Sequence, residues 1–546
     1  MTVLIRRFVV LCISATVLLI GFRQLAQQDD LPPPHSTSSS QINHPVIWKD
    51  VPLRYPVSSM IPLPSGAPSP IPKIQHEFGV ETENNKAKRK ERLETVKKTF
   101  LHSWEGYKKH AWLQDEVTPV SGGYKNGFGR RGATLVDTLD TLSIMGLDKE
   151  FNLALSALNK IDFSTTEEPT LNVFETTIRY LGGLLSAYDL NEGRHRILLD
   201  KAVELGDMLY IAFDTPNRLP ITRWDWANGA LEGEQEAPSQ ALSAEIGSLS
   251  LEFTRLSQLT GDPKYFDAVQ RISNQFEKHQ NSTSIPEQYR KLYEGAIEAA
   301  KKHLFFRPMN PQNQDILISG TVRKNAADFI KLQPEGQHLA CFAGGMVGIG
   351  SKIFERPDEL DIARKLVDGC IWAYDSMPTG IMPESFVAVP CPDPKDCTYS
   401  TEKWHEAVIN DRSIRSTLDV ARIIREDGLV PGFTEISDRR FLLRPEAIES
   451  VFILYRITGD TSLQDSAWRM FQSIQNSTQT PIANSAIADV TCPPEREPEK
   501  LDECESFWMA ETLKYFYLVF SEPDVVSLDD WVFNTEAHPL RRPQSS

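Results

Sequence analysis

LSQLTGDPKYFDAVQRI (256–272) and LYRITGDTSLQDSAWRM (454–470) share Leu, Thr-Gly-Asp, an Asp and an Arg in one register. Each reads as a helix, a Thr-Gly-Asp turn and a second helix, so one αα-hairpin occurs twice. Working outward, Leu93, Val96, Phe100, Trp104, Tyr107 and Ala111 recur at steps of three and four, an apolar stripe with lysines opposite. LVDTLDTLSIMGLDKEFNLALSAL, FETTIRYLGGLLSAYDL, HRILLDKAVELGDMLYIAF, SAEIGSLSLEFTRLSQL, CFAGGMVGIGSKIF and ELDIARKLVDGCIWAYDSM continue the helical pattern, and strand-like alternation is scarce. The fold class is therefore all-α. Uneven hairpin lengths and polar inserts favour a closed α/α barrel over an open array. Such a barrel sets one group of loops and helix N-termini around a central cavity.

The chain has 546 residues, 40% hydrophobic, and a net charge of −16. That surface repels polyanions, which excludes nucleic acid as a partner. Arg6 and Arg7 precede the apolar run Phe8 to Phe22, which closes on Arg23. Fifteen residues make roughly 22 Å of helix, short for a bilayer core of about 30 Å, so a cleaved signal peptide competes with an anchor. No A-x-A-like site follows, which favours an anchor, with residues 1–7 cytoplasmic, 8–22 in the membrane and the rest lumenal. Residues 23–90, rich in Pro and Ser, read as an extended stem closing on KAKRKER, and 91–540 as the barrel domain. KAKRKER reads as a solvated first helical turn, with a processing site at Lys88-Arg89 as the alternative.

Of seven cysteines, Cys12 lies in the apolar run. The other six, without zinc-type spacing, suit lumenal disulfides. Short spacings point to Cys391–Cys397 and Cys492–Cys504, although six cysteines allow fifteen connectivities. Sequons at Asn281 and Asn476 agree with a secretory address.

Several stretches carry more charge than packing requires. NVFETTIRYLGG places Glu175 and Arg179 at i, i+4. FLLRPEAIES puts Arg444, Pro445, Glu446 and Glu449 at a helix start, where proline is tolerated and carboxylates suit the dipole. SFWMAETLKYFY pairs Phe507 with Glu511, and VFNTEAHPL carries Thr535 and Glu536 beyond the helical region. A helix ion pair explains any one of these alone. Together they are many carboxylates beside apolar surface, where buried charge needs a partner or a purpose. Acids for proton transfer and a ring for stacking suit a neutral polyhydroxyl ligand, as in a glycosidase.

GATLVDTLDTL, NVFETTIRYLGGLLSAYDL, EFTRLSQLTGD, HLACFAGGM, LLRPEAIESVF, FWMAETLKYFYLVF and VFNTEAHPL, in this order over residues 91–540, resemble the class I α-1,2-mannosidases of glycoside hydrolase family 47. PESFVAVPCP is similar to fungal members. The resemblance implies an (α/α)7 barrel, inversion at the anomeric carbon, calcium dependence and trimming of high-mannose N-glycans (the Man9GlcNAc2 class) by a monomer at the ER or Golgi membrane. It implies Glu175 on the acid side, Glu446 as the base that activates water, and Glu384 as a further catalytic acidic residue. Thr535 would ligate Ca2+ through its carbonyl and hydroxyl oxygens. Arg179, His338, Arg444, Glu449, Phe507, Glu511, Glu536, Asp137 and Asp140 match substrate-binding positions, with Phe507 stacking under the terminal sugar. Cys341 and Cys370 match the family disulfide.

One stretch departs from the family. Between Ile285 and Tyr289 the chain lacks the family's D-S-x-Y-E-Y-L-like segment, whose aspartate belongs to the active site. About one helical hairpin is absent, which would open the barrel wall. Two expectations follow: an inverting mannosidase, or a catalytically impaired, calcium-dependent mannose-binding, lectin-like relative; the absent segment reads either as a real loss or as a skipped exon or mistaken intron in the gene.

Overall fold

The computed structural model describes residues 45–66, 70–231, 233–280, 285–324, 330–411 and 420–543. Val46–Ser546 form one compact unit. Its main helices are α1 (Glu83–His110), α2 (Ala133–Asp137), α3 (Leu139–Ile144) and α4 (Asp148–Leu158). Val173–Glu175, a π-helical stretch Thr176–Leu181 and Gly182–Leu190 run on as α5, followed by α6 (Arg196–Ile211). Next come α7 (Ser250–Thr260), α8 (Lys264–Gln280), α9 (Ile285–His303), α10 (Phe342–Ile353) and α11 (Asp358–Ser376). Then follow α12 (Glu446–Thr458), α13 (Ser462–Thr478) and α14, a π-helical Trp508–Thr512 continued by Leu513–Val519.

Packing sorts these helices into two layers. In the inner layer α3 packs on α5 and α5 on α7, while α10 packs on α12, α12 on α14 and α14 back on α3. Outside lie α4 on α3, α6 on α5, α8 on α7, α11 on α10, α13 on α12, and α1 on α14. The arrangement is an all-α barrel. Its inner ring is interrupted between α7 and α10, where no comparable packing occurs among the described residues. Helix α9 packs on its outer neighbour α8, through the buried Gln288 that donates to the Ser273 carbonyl at 2.8 Å. This is where the sequence lacks a segment.

Helix α9 covers one side of α10 beside the interruption, with Tyr293 against Gly350 and stacked on Phe354. Gly344 of α10 faces Val367 of α11, and Gly345 faces Ile453 of α12. At 100° per residue, Phe342 and Met346 of α10 point away from α11, and they are 41% and 42% exposed; Leu339, in the turn ahead of α10, is 51% exposed.

Both Thr-Gly-Asp turns form as expected. Gly261 and Gly459 adopt φ of 75° and 70°, a left-handed helix end that glycine takes without strain. Asp262 accepts the Lys264 N–H at 3.0 Å and Asp460 the Ser462 N–H at 2.9 Å, so each aspartate starts the following helix.

Residues 46–82, assigned by composition to the stem, are strapped to the barrel. Three distant aspartates accept their backbone N–H groups: Asp214 from Arg54 and Tyr55, Asp267 from Ile61, and Asp529 from Ile74 and Gln75. Trp48 is buried against Trp224 and Trp226. The apolar run 8–22 and Asn281 lie outside the described residues; among those described, no helix is long and apolar enough to cross a membrane.

Disulfides join Cys341 to Cys370 and Cys391 to Cys397. The expected Cys492–Cys504 bond is not formed. The Cys492 thiol donates to the Arg496 carbonyl at 3.2 Å in its own loop, whereas Cys504 is buried near Glu116 and Glu505.

Candidate active site

The site is built at the N-terminal ends of the inner helices. A three-stranded antiparallel sheet, β1 (Glu335–Gln337), β2 (Ser385–Ala388) and β3 (Phe433–Asp438), in order β3-β2-β1, sets one side. His338 follows β1 and Glu384 precedes β2, and the His338 N–H donates to the Glu384 carbonyl at 2.9 Å. Helix α12 begins at Glu446, with Pro445 as its N-cap, so Glu446 and Glu449 share its first turn. Ahead of it Leu443 has φ 66°, a left-handed conformation costing an L-residue about 1–2 kcal/mol. Its carbonyl is held by the Thr512 hydroxyl at 2.6 Å.

Around Glu446 the partners are specific. His338 Nδ1 lies 3.0 Å from Glu446 Oε2 and its Nε2 2.7 Å from the Tyr374 hydroxyl. Arg444 Nε donates to Glu384, and its Nη1 lies 3.7 Å from Glu446 Oε1. Burial opposes charge on Glu446, but the His338 bond and the Arg444 charge hold it below the ordinary carboxylate range. Glu446 is therefore ionised at neutral pH, as a general base requires.

The second group centres on Arg179 in the π-helical turn of α5; such turns often occur at functional sites. Its Nε donates to Glu175 at 2.9 Å, and its Nη1 donates to Glu536 and, at 3.1 Å, to the Ser506 hydroxyl. Asp137 lies 3.6 Å away, and the guanidinium sits 5.6 Å from the Phe507 ring centre. Asp137 also accepts from the Ser506 hydroxyl, and His538 bridges Asp137 at 3.0 Å and Asp140 at 2.8 Å. Lys514 completes the base of this network, 2.8 Å from Asp140.

Glu511, in the π-helical turn of α14, joins the two groups. Burial first, then the charges of Glu536, Glu446 and Glu449, push its carboxyl well above the ordinary range. Burial and Glu446 push Glu449 up to about 8. Of the site residues singled out from sequence, Glu384, His338, Arg444 and Glu446 fall in the first group and Glu175, Arg179, Phe507, Glu536, Asp137 and Asp140 in the second, with Glu449 and Glu511 within reach of their charges; Thr535 belongs to neither.

Thr535 is exposed on the turn between β4 (Trp531–Phe533) and β5 (Pro539–Arg541), beside buried Glu536. Asn534 shapes this turn by accepting the Glu536 and His538 N–H groups at 2.9 and 2.8 Å. Asn534 also donates to Glu252, at 2.7 Å, whose carboxyl burial raises to about 7. Among the described residues no group of three or more His, Cys, Asp or Glu is placed to hold a metal. Thr535 offers one hydroxyl and one carbonyl oxygen, a donor set that suits a hard cation keeping most of its water.

Sequence reading missed Glu116, Tyr374, Glu505, Ser506, Lys514, Asn534 and His538. Five of these lie within or beside motifs already singled out. Tyr374 lies in a stretch whose helical period marks it as packing, and Glu116 carries no periodic or spacing signal.

Residues 99–288 and 282–542 match glycosyl hydrolase family 47, in two runs that meet at the α8–α9 junction, where the inner ring is interrupted. The chain is 31% identical to a mannosyl-oligosaccharide α-1,2-mannosidase of Penicillium citrinum, over 90% of this chain and 99% of the relative. It is 33% identical to the endoplasmic reticulum mannosyl-oligosaccharide 1,2-α-mannosidase of Rattus norvegicus, over 82% of this chain and 68% of the relative. The solved α-1,2-mannosidase of Trichoderma reesei superposes with a TM-score of 0.70 at 28% identity, covering 83% of this chain and 99% of that one.

Proposed function

Because the chain belongs to glycosyl hydrolase family 47 and is a glycoside hydrolase, we propose that it is an inverting exo-α-1,2-mannosidase removing terminal α-1,2-linked mannose from high-mannose N-glycans. The observation that carries this reading is the convergence of Glu446, His338, Arg444 and Glu384 with Glu175, Arg179 and Phe507 at one end of the barrel. Ionised Glu446 takes the proton of the attacking water, with His338 and Arg444 fixing the carboxylate. Glu175, held by Arg179, serves the departing glycosidic oxygen on the opposite side of the sugar. Phe507 stacks under the terminal mannose, and Glu449, Glu511 and Glu536 bind its hydroxyls. Thr535 would hold a calcium ion, whose charge when bound would orient vicinal sugar hydroxyls.

The names of the relatives support a secretory-pathway address, and the apolar run 8–22 supports attachment to the ER or Golgi membrane with a lumenal barrel acting as a monomer. The interrupted inner ring favours a second reading, a calcium-dependent mannose-binding relative with little turnover. Glu446→Gln separates substrate handling from chemistry. It is expected to abolish mannose release while calcium-dependent glycan binding persists; equal loss of both would contradict the role of Glu446.

A further inference from the structure

Trp48 lies ahead of the first run that matches the family, in a single helical turn, Trp48–Asp50, near the start of the strapped segment. The turn packs on α6, and Trp48 is buried. Just beyond it, Asp214 accepts the Arg54 and Tyr55 N–H groups, and Arg218 donates to both Asp214 and the Tyr55 carbonyl at 3.2 Å. This end of the strap is fixed through side chain and backbone alike.

From Trp48 two short routes lead to the acid side of the proposed site. The indole N–H donates to the Phe163 carbonyl at 3.0 Å, and the Phe163 ring meets the Tyr180 ring edge-on at 5.8 Å. Tyr180 is buried and follows Arg179 in the π-helical turn of α5. The indole also lies 5.7 Å from the ring centre of Trp224, which is fully buried. Trp224 pairs with Leu171 in a two-residue ladder whose other pair is Asn172 and Arg223. Asn172 caps α5, its side-chain oxygen accepting the Glu175 N–H at 3.3 Å and an Arg223 N–H at 3.1 Å. The segments carrying Glu175 and Arg179 are thus both backed by an aromatic residue that touches Trp48.

We propose that Trp48 is a positioning residue for the acid side of the reaction. It holds the Asn172 cap and the Arg179 turn so that Glu175 meets the departing glycosidic oxygen, and it touches no sugar itself. A buried tryptophan suits this task, because its large ring offers packing on its faces and its N–H fixes the orientation. Glu446 is held by other elements, through His338 and Arg444. Loss of Trp48 should therefore disturb one half of the site and spare the other.

The proposal deepens the mannosidase reading and rests on it for the kinetic half of its test. Trp48→Leu removes the ring and its N–H while staying apolar. On a high-mannose glycan, with calcium present, kcat is expected to fall about tenfold, part of the hundredfold that misplacement by about 1 Å costs. KM should change by less than about twofold, the mark of an interaction realised in the transition state. On α-mannosyl fluoride, whose leaving group departs without needing a proton, kcat should change by less than about twofold. Trp48→Phe keeps a ring but cannot donate to Phe163; it should lose about threefold on the glycan, and it carries the test if the leucine variant does not fold. Equal losses on the two substrates, or a raised KM with kcat unchanged, would overturn the proposal. Independently of substrate, hydrogen–deuterium exchange of the full chain should quicken in residues 171–181 of either variant and stay unchanged in 441–449. No change in 171–181, or an equal change in both segments, would also overturn it. If the wild type releases no mannose yet this contrast appears, the mannosidase reading fails and the positioning of the Glu175 turn by Trp48 stands.

Discussion

Arg179→Met removes the one cation that Glu175, Glu536 and Asp137 share, while keeping roughly the same volume. The side chains of Arg179, Glu536 and Asp137 are 8%, 4% and 0% exposed, so the carboxylates left behind cannot be rescued by water. Breaking a buried ion pair from one side costs about 3–5 kcal/mol. Unfolding entropy of about 2.1 cal/mol/K per residue, over a unit of this size, comes to about 1 kcal/mol/K. The melting temperature should therefore drop by about 3–5 °C at pH 7. The sign with pH is also fixed. Burial already raises the Glu536 carboxyl and Arg179 opposes that rise, so without Arg179 its folded pKa moves further above the unfolded one, and stability is retained at low pH and lost as pH rises. The deficit should accordingly shrink between pH 7 and pH 5. Differential scanning calorimetry of wild type, Arg179→Met and Arg179→Lys across that range measures both effects. A drop below about 1 °C, or one independent of pH, would refute the picture of a buried hub.

Gly182→Ala places a Cβ 2.7 Å from both Asn534 Nδ2 and His538 Cδ2, so the turn bearing Thr535 and Glu536 must move. Calcium affinity, measured by titration calorimetry, is expected to fall about tenfold or more, with glycan affinity falling alongside, because misplacing site groups by about 1 Å costs on the order of a hundredfold. Met346→Gln should change stability by less than about 0.5 kcal/mol by denaturant unfolding, because its side chain is 42% exposed. A cost of about 1–3 kcal/mol, that of a buried unsatisfied amide, would contradict this exposure. Glu449→Gln should flatten the fall in melting temperature of the calcium-free protein between the ordinary carboxylate range and about pH 8, since the raised carboxyl stabilises the fold at low pH and loses that contribution as it ionises.

The Thr-Gly-Asp hairpins were legible because glycine in the left-handed region and aspartate as a first-turn acceptor are local devices. The charged stretches were legible for a similar reason: Glu175 with Arg179, and Glu446 with Glu449, lie one turn apart on a single helix. Contacts between distant segments were not. Glu116 reaches Ser506 across nearly the whole chain, and nothing in its neighbours marks it. The segment 46–82 has the composition of a linker and, among its described residues, no α-helix, yet Asp214, Asp267 and Asp529 hold it from far along the sequence. The Cys492–Cys504 pairing failed likewise, because spacing along a chain does not report where two sulfurs point. The missing inner helix was legible only against the family pattern. Its structural consequence, the absence of packing between α7 and α10 among the described residues, required the structure.

The most direct test is mannose release from an α-1,2-linked high-mannose glycan, followed by proton NMR with and without a calcium chelator. The account predicts β-mannose as the first-formed anomer, loss of release on chelation and its return when calcium is restored. Glycan binding with no mannose released under any of these conditions would contradict it.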